Sequence, residues 1–158
     1  MLAAGDATEA RNGEIMAEAA APESSQPRDL VTVGEIMERA LTTAQTTDHI
    51  AAAAYLMKHA GSTALVVLDA ETDRPIGIVT DTDVSHVVAD GKNVNDVRIS
   101  DVMTPDPTVV GTTTSLREAA EFMMNGHFRH LPVVDDSGLA GIVDISAICR
   151  GLLGPNDR

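Results

Sequence analysis

The chain contains a single cysteine, Cys149, which excludes an internal disulfide and any zinc site assembled from several thiolates. That usage suits a reducing compartment. No Cys or Asp/His pair lies near it in the sequence, so Cys149 reads as an inert thiol on an apolar helix. Tryptophan is absent, and one Tyr with two Phe cannot supply the stacking platforms of single-strand nucleic-acid binders. Positive charge is also short: 11 Lys and Arg face 24 Asp and Glu, a net −13 whose field repels phosphate backbones and anionic lipid. No apolar run approaches the ~20 residues of a membrane-spanning helix, and the acidic N-terminus lacks a signal peptide's basic start. The expectation is a soluble, cytoplasmic protein with neither a nucleic-acid nor a membrane partner. His49, His59, His86, His127 and His130 are scattered without metal-ligand spacing, so no metal site is expected. Nor is there a Ser-His-Asp, Walker or GxGxxG arrangement, and no enzyme is expected.

What the chain does have is duplication. Residues 1–30, rich in Ala, Glu, Ser, Pro and Gln, carry six acidic and two basic residues without a sustained apolar face, and are expected to form a disordered acidic tail. From Val33 onward the sequence repeats with a shift of 66. Met37, Thr42, Thr46, Thr47, Ala53, Ala54, Met57, Leu65, Val67 and Asp69 recur as Met103, Thr108, Thr112, Thr113, Ala119, Ala120, Met123, Leu131, Val133 and Asp135. A hairpin turn two residues shorter then brings Gly77-Ile78-Val79 onto Gly141-Ile142-Val143. Self-similarity of this kind implies two copies of one supersecondary unit.

Within each copy, Ile50, Ala53, Ala54 and Met57, and likewise Leu116, Ala119, Ala120 and Met123, fall at i, i+3, i+4 and i+7, the stripe of an amphipathic helix. Thr46 or Thr47 and Thr114 or Ser115 stand as N-cap candidates, with Ser115 and Glu118 spaced for a capping box. Apolar runs at 64–68 and 76–79, and at 131–134 and 139–145, flank polar turns and read as hairpin strands. Further helices are expected over 82–89 and 146–153. The organisation expected is a tail at 1–30, repeats at 31–90 and 99–153 joined by a linker at 91–98, and a C-terminal tail at 154–158.

The segments Val-Gly-Glu-Ile-Met, Ile-Ser-Asp-Val-Met-Thr-Pro, His-Leu-Pro-Val-Val-Asp and Gly-Ile-Val-Thr-Asp-Thr-Asp-Val together resemble a tandem pair of CBS domains, a Bateman module. Among stand-alone bacterial proteins the chain is similar to small hypoxic-response CBS proteins. The resemblance implies an α/β (α+β) fold in which two CBS repeats pack about a pseudo-two-fold axis, leaving two clefts for adenosine-containing ligands. It also implies a homodimer.

The family's ribose and phosphate motif, a Gly followed at fixed spacing by Ser/Thr and then Asp, is matched by Gly77, Thr80 and Asp83, with Ile78 and Thr82 on the same edge. A strand-to-helix corner suits a phosphate, because a helix start offers unpaired N–H groups and a partial positive charge, and Asp83 as an acceptor suits a ribose diol. Either residue equally suits a helix cap. The resemblance completes this cleft from the other copy with Pro107, Thr108, Arg129 and His130. Arg129 offers a planar fork of donors, and His130 can carry charge. In the second copy Asp144 replaces the hydroxyl, Ala147 replaces the aspartate, and Thr63 and Ala64 stand where Arg129 and His130 would. At most one nucleotide per chain is therefore expected. The functional expectation is a non-catalytic regulatory pair needing no cofactor. It would bind AMP, ADP or ATP, with S-adenosylmethionine as second choice, and relay occupancy to an unidentified protein partner. A ligand-free dimeric scaffold is the alternative.

Overall fold

A computed structural model describes residues 31–39 and 42–154. The elements follow the duplicated pattern: α1 (Val33–Ile36), β1 (Thr43–Gln45), α2 (Ile50–Ala60), β2 (Ala64–Leu68), β3 (Pro75–Thr80) and α3 (Asp81–Ala89), then a 3-10 turn at Ile99–Asp101. The second copy continues with β4 (Thr104–Pro105), β5 (Val110–Gly111), α4 (Leu116–Gly126), β6 (His130–Asp135), β7 (Gly138–Asp144) and α5 (Ile145–Leu153). The tail expected at 1–30 lies outside the described residues.

Each copy forms a short sheet. In the first, β1 pairs parallel with β2, and β2 antiparallel with β3. The second repeats this with β5, β6 and β7. Both hairpins carry a register shift at matching places, after Val67 and after Val133. Strand β2 is a continuous apolar run with its first four residues buried, the composition of a strand covered on both faces. Ile50, Ala53 and Met57 of α2 turn inward with Leu65, Val67 and Val79, and Leu116, Ala119 and Met123 of α4 do the same with Leu131, Val133 and Val143.

The lead-in segments cross over. Strand β4, which opens the second copy, pairs with β3 of the first, Thr104 opposite Ile78. Reciprocally, Glu38 bridges to Ile142. The N–H groups of Val33 and Gly34 donate to the carbonyls of Thr114 and Thr112, while those of Ile99 and Ser100 donate to Asp48 and Thr46. Val33 is accordingly buried in the second copy's apolar core and Ile99 in the first copy's. Glycine permits the crossing, since a Cβ on Gly77 would stand 2.5 Å from Met103 Sδ and one on Gly141 2.5 Å from the Glu38 carbonyl oxygen. The repeated Gly-Ile-Val therefore marks where one copy's lead-in lies across the other copy's hairpin.

Helix starts differ between the copies. Ser115 caps α4, its hydroxyl accepting from the Glu118 N–H at 3.2 Å, as its spacing predicts. The caps expected for α2 at Thr46 or Thr47 do not form. The N-cap is His49, without a side-chain bond, and the first N–H groups of α2, on Ile50 and Ala51, donate to the carbonyls of Val97 and Val94. Residues 91–98, expected as a linker, thus serve α2 as a backbone cap.

Candidate functional site: a cleft shared by both repeats

Strand β3 ends at Thr80 and α3 begins immediately, so the corner lies at the rim of the first sheet beside β4. Opposite it, α4 ends at Gly126 and β6 begins at His130, a turn that carries Phe128 and Arg129. Between these corners lies a cavity of about 280 Å³ lined by Ile78, Thr80, Thr82, Thr104, Asp106, Pro107, Thr108, His127, Phe128, Arg129 and His130. Its size sits near the lower limit of small-molecule sites, roughly 300–1,000 Å³. Seven residues singled out by sequence, Ile78, Thr80, Thr82, Pro107, Thr108, Arg129 and His130, share this wall although they come from both repeats.

Asp83 stands outside the lining. Its Oδ2 accepts from the Thr80 N–H at 2.8 Å and from the Thr80 hydroxyl at 2.9 Å, and its own N–H donates back to Thr80 Oγ1 at 3.3 Å. Of the two roles the sequence leaves open for Thr80 and Asp83, this closed capping box is the helix cap. The Thr80 hydroxyl proton is taken by the Asp83 carboxylate, a charge-assisted bond. The Asp81 N–H is likewise taken, by the Thr63 carbonyl at 3.0 Å. With Asp81 and Asp83 in its first turn, α3 already has its dipole complemented, and its start is a weaker anion site than the sequence suggests.

Donor strength in the cleft therefore falls on the opposite corner. Arg129 is exposed and makes no ion pair with any described residue. His130 Nε2 lies 3.0 Å from Thr63 Oγ1, a contact joining equivalent turns of the two copies. Burial holds the His130 imidazole below its ordinary pKa; the Asp144 carboxylate opposes this, Arg129 reinforces it, and Asp81 also opposes it. Neutral His130 is a directional partner rather than a cation.

The second cleft is built differently. It divides into two hollows of about 200 Å³ each, one with Glu38, Arg39, Thr42 and Ile142, the other with Glu38, Thr63, Asp144, Ala147 and Arg150 among its lining residues. Asp144 caps α5, accepting from the Ala147 N–H at 2.6 Å. Carboxylates thus stand where the first cleft has Thr104 and Thr80. Among the described residues no group of three or more His, Cys, Asp or Glu could hold a metal ion. No helix of the described residues is long and apolar enough to cross a membrane.

A family model described as the CBS domain matches twice, over residues 33–90 and 99–154. The chain belongs to the CBS-domain family. An uncharacterised protein of Methanopyrus kandleri is 38% identical over 122 residues, covering 76% of this chain and 62% of that one. The chain thus spans about three fifths of the length of the first curated relatives it matches. Among solved CBS structures, a protein from Burkholderia ambifaria superposes with a TM-score of 0.73 at 27% identity, covering 81% of this chain and 98% of that one. CBSX2, solved in complex with AMP, gives 0.63 at 30% identity, covering 77% and 96%. Hypoxic Response Protein I gives 0.65 at 26% identity, covering 76% and 98%. The small hypoxic-response CBS type suggested by the motifs is therefore among its structural neighbours, and the α/β pair of CBS repeats is the fold.

Four lining residues of this CBS cleft escaped sequence reasoning: Thr104, Asp106, His127 and Phe128. Two had a legible signal. His127 aligns with Gly61 under the 66-residue shift, and both end a helix in the left-handed region, at φ 56° and 66°. Phe128 follows Gly126, whose missing side chain leaves room for the ring, since a Cβ there would collide with it. Thr104 and Asp106 enter only because β4 crosses onto β3, which no local pattern announces.

Proposed function

We propose that this CBS pair is a non-catalytic regulatory module that binds one adenosine-containing nucleotide per chain in the first cleft and relays occupancy to a partner. The observation that carries the reading is the convergence of Ile78, Thr80 and Thr82 with Pro107, Thr108, Arg129 and His130 on one cavity. Ile78, Pro107 and Phe128 offer apolar surface to a base, and Arg129 offers the phosphate its fork; Asp83, outside the lining, reaches a ribose hydroxyl only if its Oδ1, which takes no bond from a described residue, turns toward the cavity. Because the ligand would touch both repeats, differential affinity for two inter-repeat arrangements shifts their population. The AMP complex of CBSX2 supports the ligand class. Exposed Tyr55, Val88, Phe122, Met124 and Leu153, at least one on each long helix, support burial in a homodimer. The same residues favour the second reading, a ligand-free dimeric scaffold.

Isothermal titration of the full chain with AMP decides between them. Saturable binding of one AMP per chain is expected, weakened ~10-fold or more by Arg129→Ala, the cost of a charge-assisted bond. A flat titration leaves the scaffold, and affinity indifferent to both Arg129→Ala and Asp83→Ala removes the nucleotide from this cleft.

A further inference from the structure

The Arg129 corner of the first cleft adjoins a second hollow. Arg129 and His130 also line a second cavity, of about 210 Å³, whose other walls are Thr63, Asp81, Asp144, Ile145 and Ser146. This hollow lies on the seam where the two copies meet, at the starts of α3 and α5. A ligand group held at Arg129 and His130 therefore borders both cavities.

The charges along this path are unequal. Among the described residues, Arg129 is the only Lys or Arg lining either cavity, whereas Asp106 faces the first and Asp81 and Asp144 face the seam. A single phosphate, with a charge of about −1.5 to −2, already more than neutralises Arg129. Each added phosphate brings further negative charge toward two carboxylates, while Arg150 lines the neighbouring hollow and not the seam. The seam's neutral donors are few, and Thr63 is engaged with His130. Asp144 is held in place by the Ala147 N–H, so it cannot swing away without uncapping α5. The whole chain's net −13 adds to the same bias.

We propose that Asp81 and Asp144 make this cleft selective for adenosine ligands carrying at most one phosphate, rejecting di- and triphosphates by like-charge repulsion at the seam. The inference rests on the nucleotide-binding reading above and narrows its ligand class. In the second copy the position equivalent to Asp81 is Ile145, so the first helix start brings a charge that its counterpart lacks.

The test is titration of the full chain with AMP, ADP and ATP in buffer containing EDTA, so that no divalent cation masks the phosphates, repeated with Asp81→Asn, Asp144→Asn and the double variant. Asparagine keeps the N-cap of α5, and Asp81 caps nothing, so both variants are expected to fold, with circular dichroism as the check. Wild type is expected to bind AMP at least ~10-fold more tightly than ATP, with ADP between. The double variant is expected to close most of that gap by gaining more affinity for ATP than for AMP, since repulsion by a carboxylate grows with the charge brought near it. Wild type binding ATP as tightly as AMP, or a gap unchanged in the double variant, overturns the selectivity while leaving nucleotide binding intact. Absence of binding by all three nucleotides overturns both readings together.

Discussion

At the scale of single residues, the cleft is marked by backbone that side chains ordinarily avoid. Three non-glycine residues among those described have positive φ: Asp73, Asp106 and His127. Two of them, Asp106 and His127, line the first cleft's cavity. A β-carbon in the left-handed region costs about 1–2 kcal/mol, and such residues persist where the surroundings fix them. Gly61 occupies the equivalent place in the other repeat without that cost, which makes the histidine the departure to explain. His127→Gly is therefore expected to raise stability by about 1 kcal/mol, read as a higher urea midpoint at unchanged slope. Its AMP affinity is expected to fall, because the cavity loses one wall. An unchanged or lower midpoint would show that His127 carries compensating contacts and that its conformation stores no strain.

At the scale of elements, the two Gly-Ile-Val strands look interchangeable in sequence but tolerate a side chain differently. A Cβ on Gly77 meets a thioether sulphur, the end of the flexible Met103 side chain, and the Thr104 carbonyl at 3.2 Å. On Gly141 it meets the backbone carbonyl of Glu38, which accepts the Ile142 N–H at 2.8 Å, while the Glu38 N–H donates to Ile142 at 2.9 Å. Backbone held by two hydrogen bonds cannot step aside as a thioether can. Gly141→Ala is expected to cost about 1–3 kcal/mol, the range for overpacking, and Gly77→Ala distinctly less, both read by chemical denaturation followed by circular dichroism. Equal losses would mean that Met103 is as rigidly held as the Glu38 backbone. The contrast also shows what sequence can and cannot reveal here. Helix stripes, hairpin strands and the Ser115 cap were legible because each depends on residues within one turn or one strand. The α2 cap was not, because Val94 and Val97 supply it through main-chain carbonyls, which every residue possesses. Thr80 and Asp83 were legible as a unit, but their spacing fits a closed capping box as well as an open ligand clamp. Only the positions of Asp83 Oδ2 and the Thr80 hydroxyl decide which bonds form first.

At the scale of the whole molecule, the crossed lead-ins make the sequence repeats and the packing units different objects. Val33 opens the first repeat's α1 yet lies with Val110, Leu116, Leu131 and Val133, and Ile99 begins the second repeat yet lies with Ile50, Leu65, Val67 and Val79. A side chain's stabilising effect follows the core it fills rather than the repeat that encodes it. Ile99→Ala removes a fully buried side chain and is expected to cost about 2–5 kcal/mol. Its first consequence belongs in the opposite repeat. Native-state hydrogen exchange should show amides of β2 and β3 losing protection before those of β6 and β7, and Val33→Ala should reverse the order. Loss confined to the mutated residue's own repeat would show that the halves are energetically separate and that the crossing is only superficial. The crossed order would instead give the Bateman arrangement its mechanical basis, since the strand bearing Ile78 and Thr80 is bonded to β4, and β4 leads to Pro107 and Thr108 on the facing wall. A ligand that closes one wall against the other must then strain the lead-in, and through it the core of the repeat where that lead-in is docked.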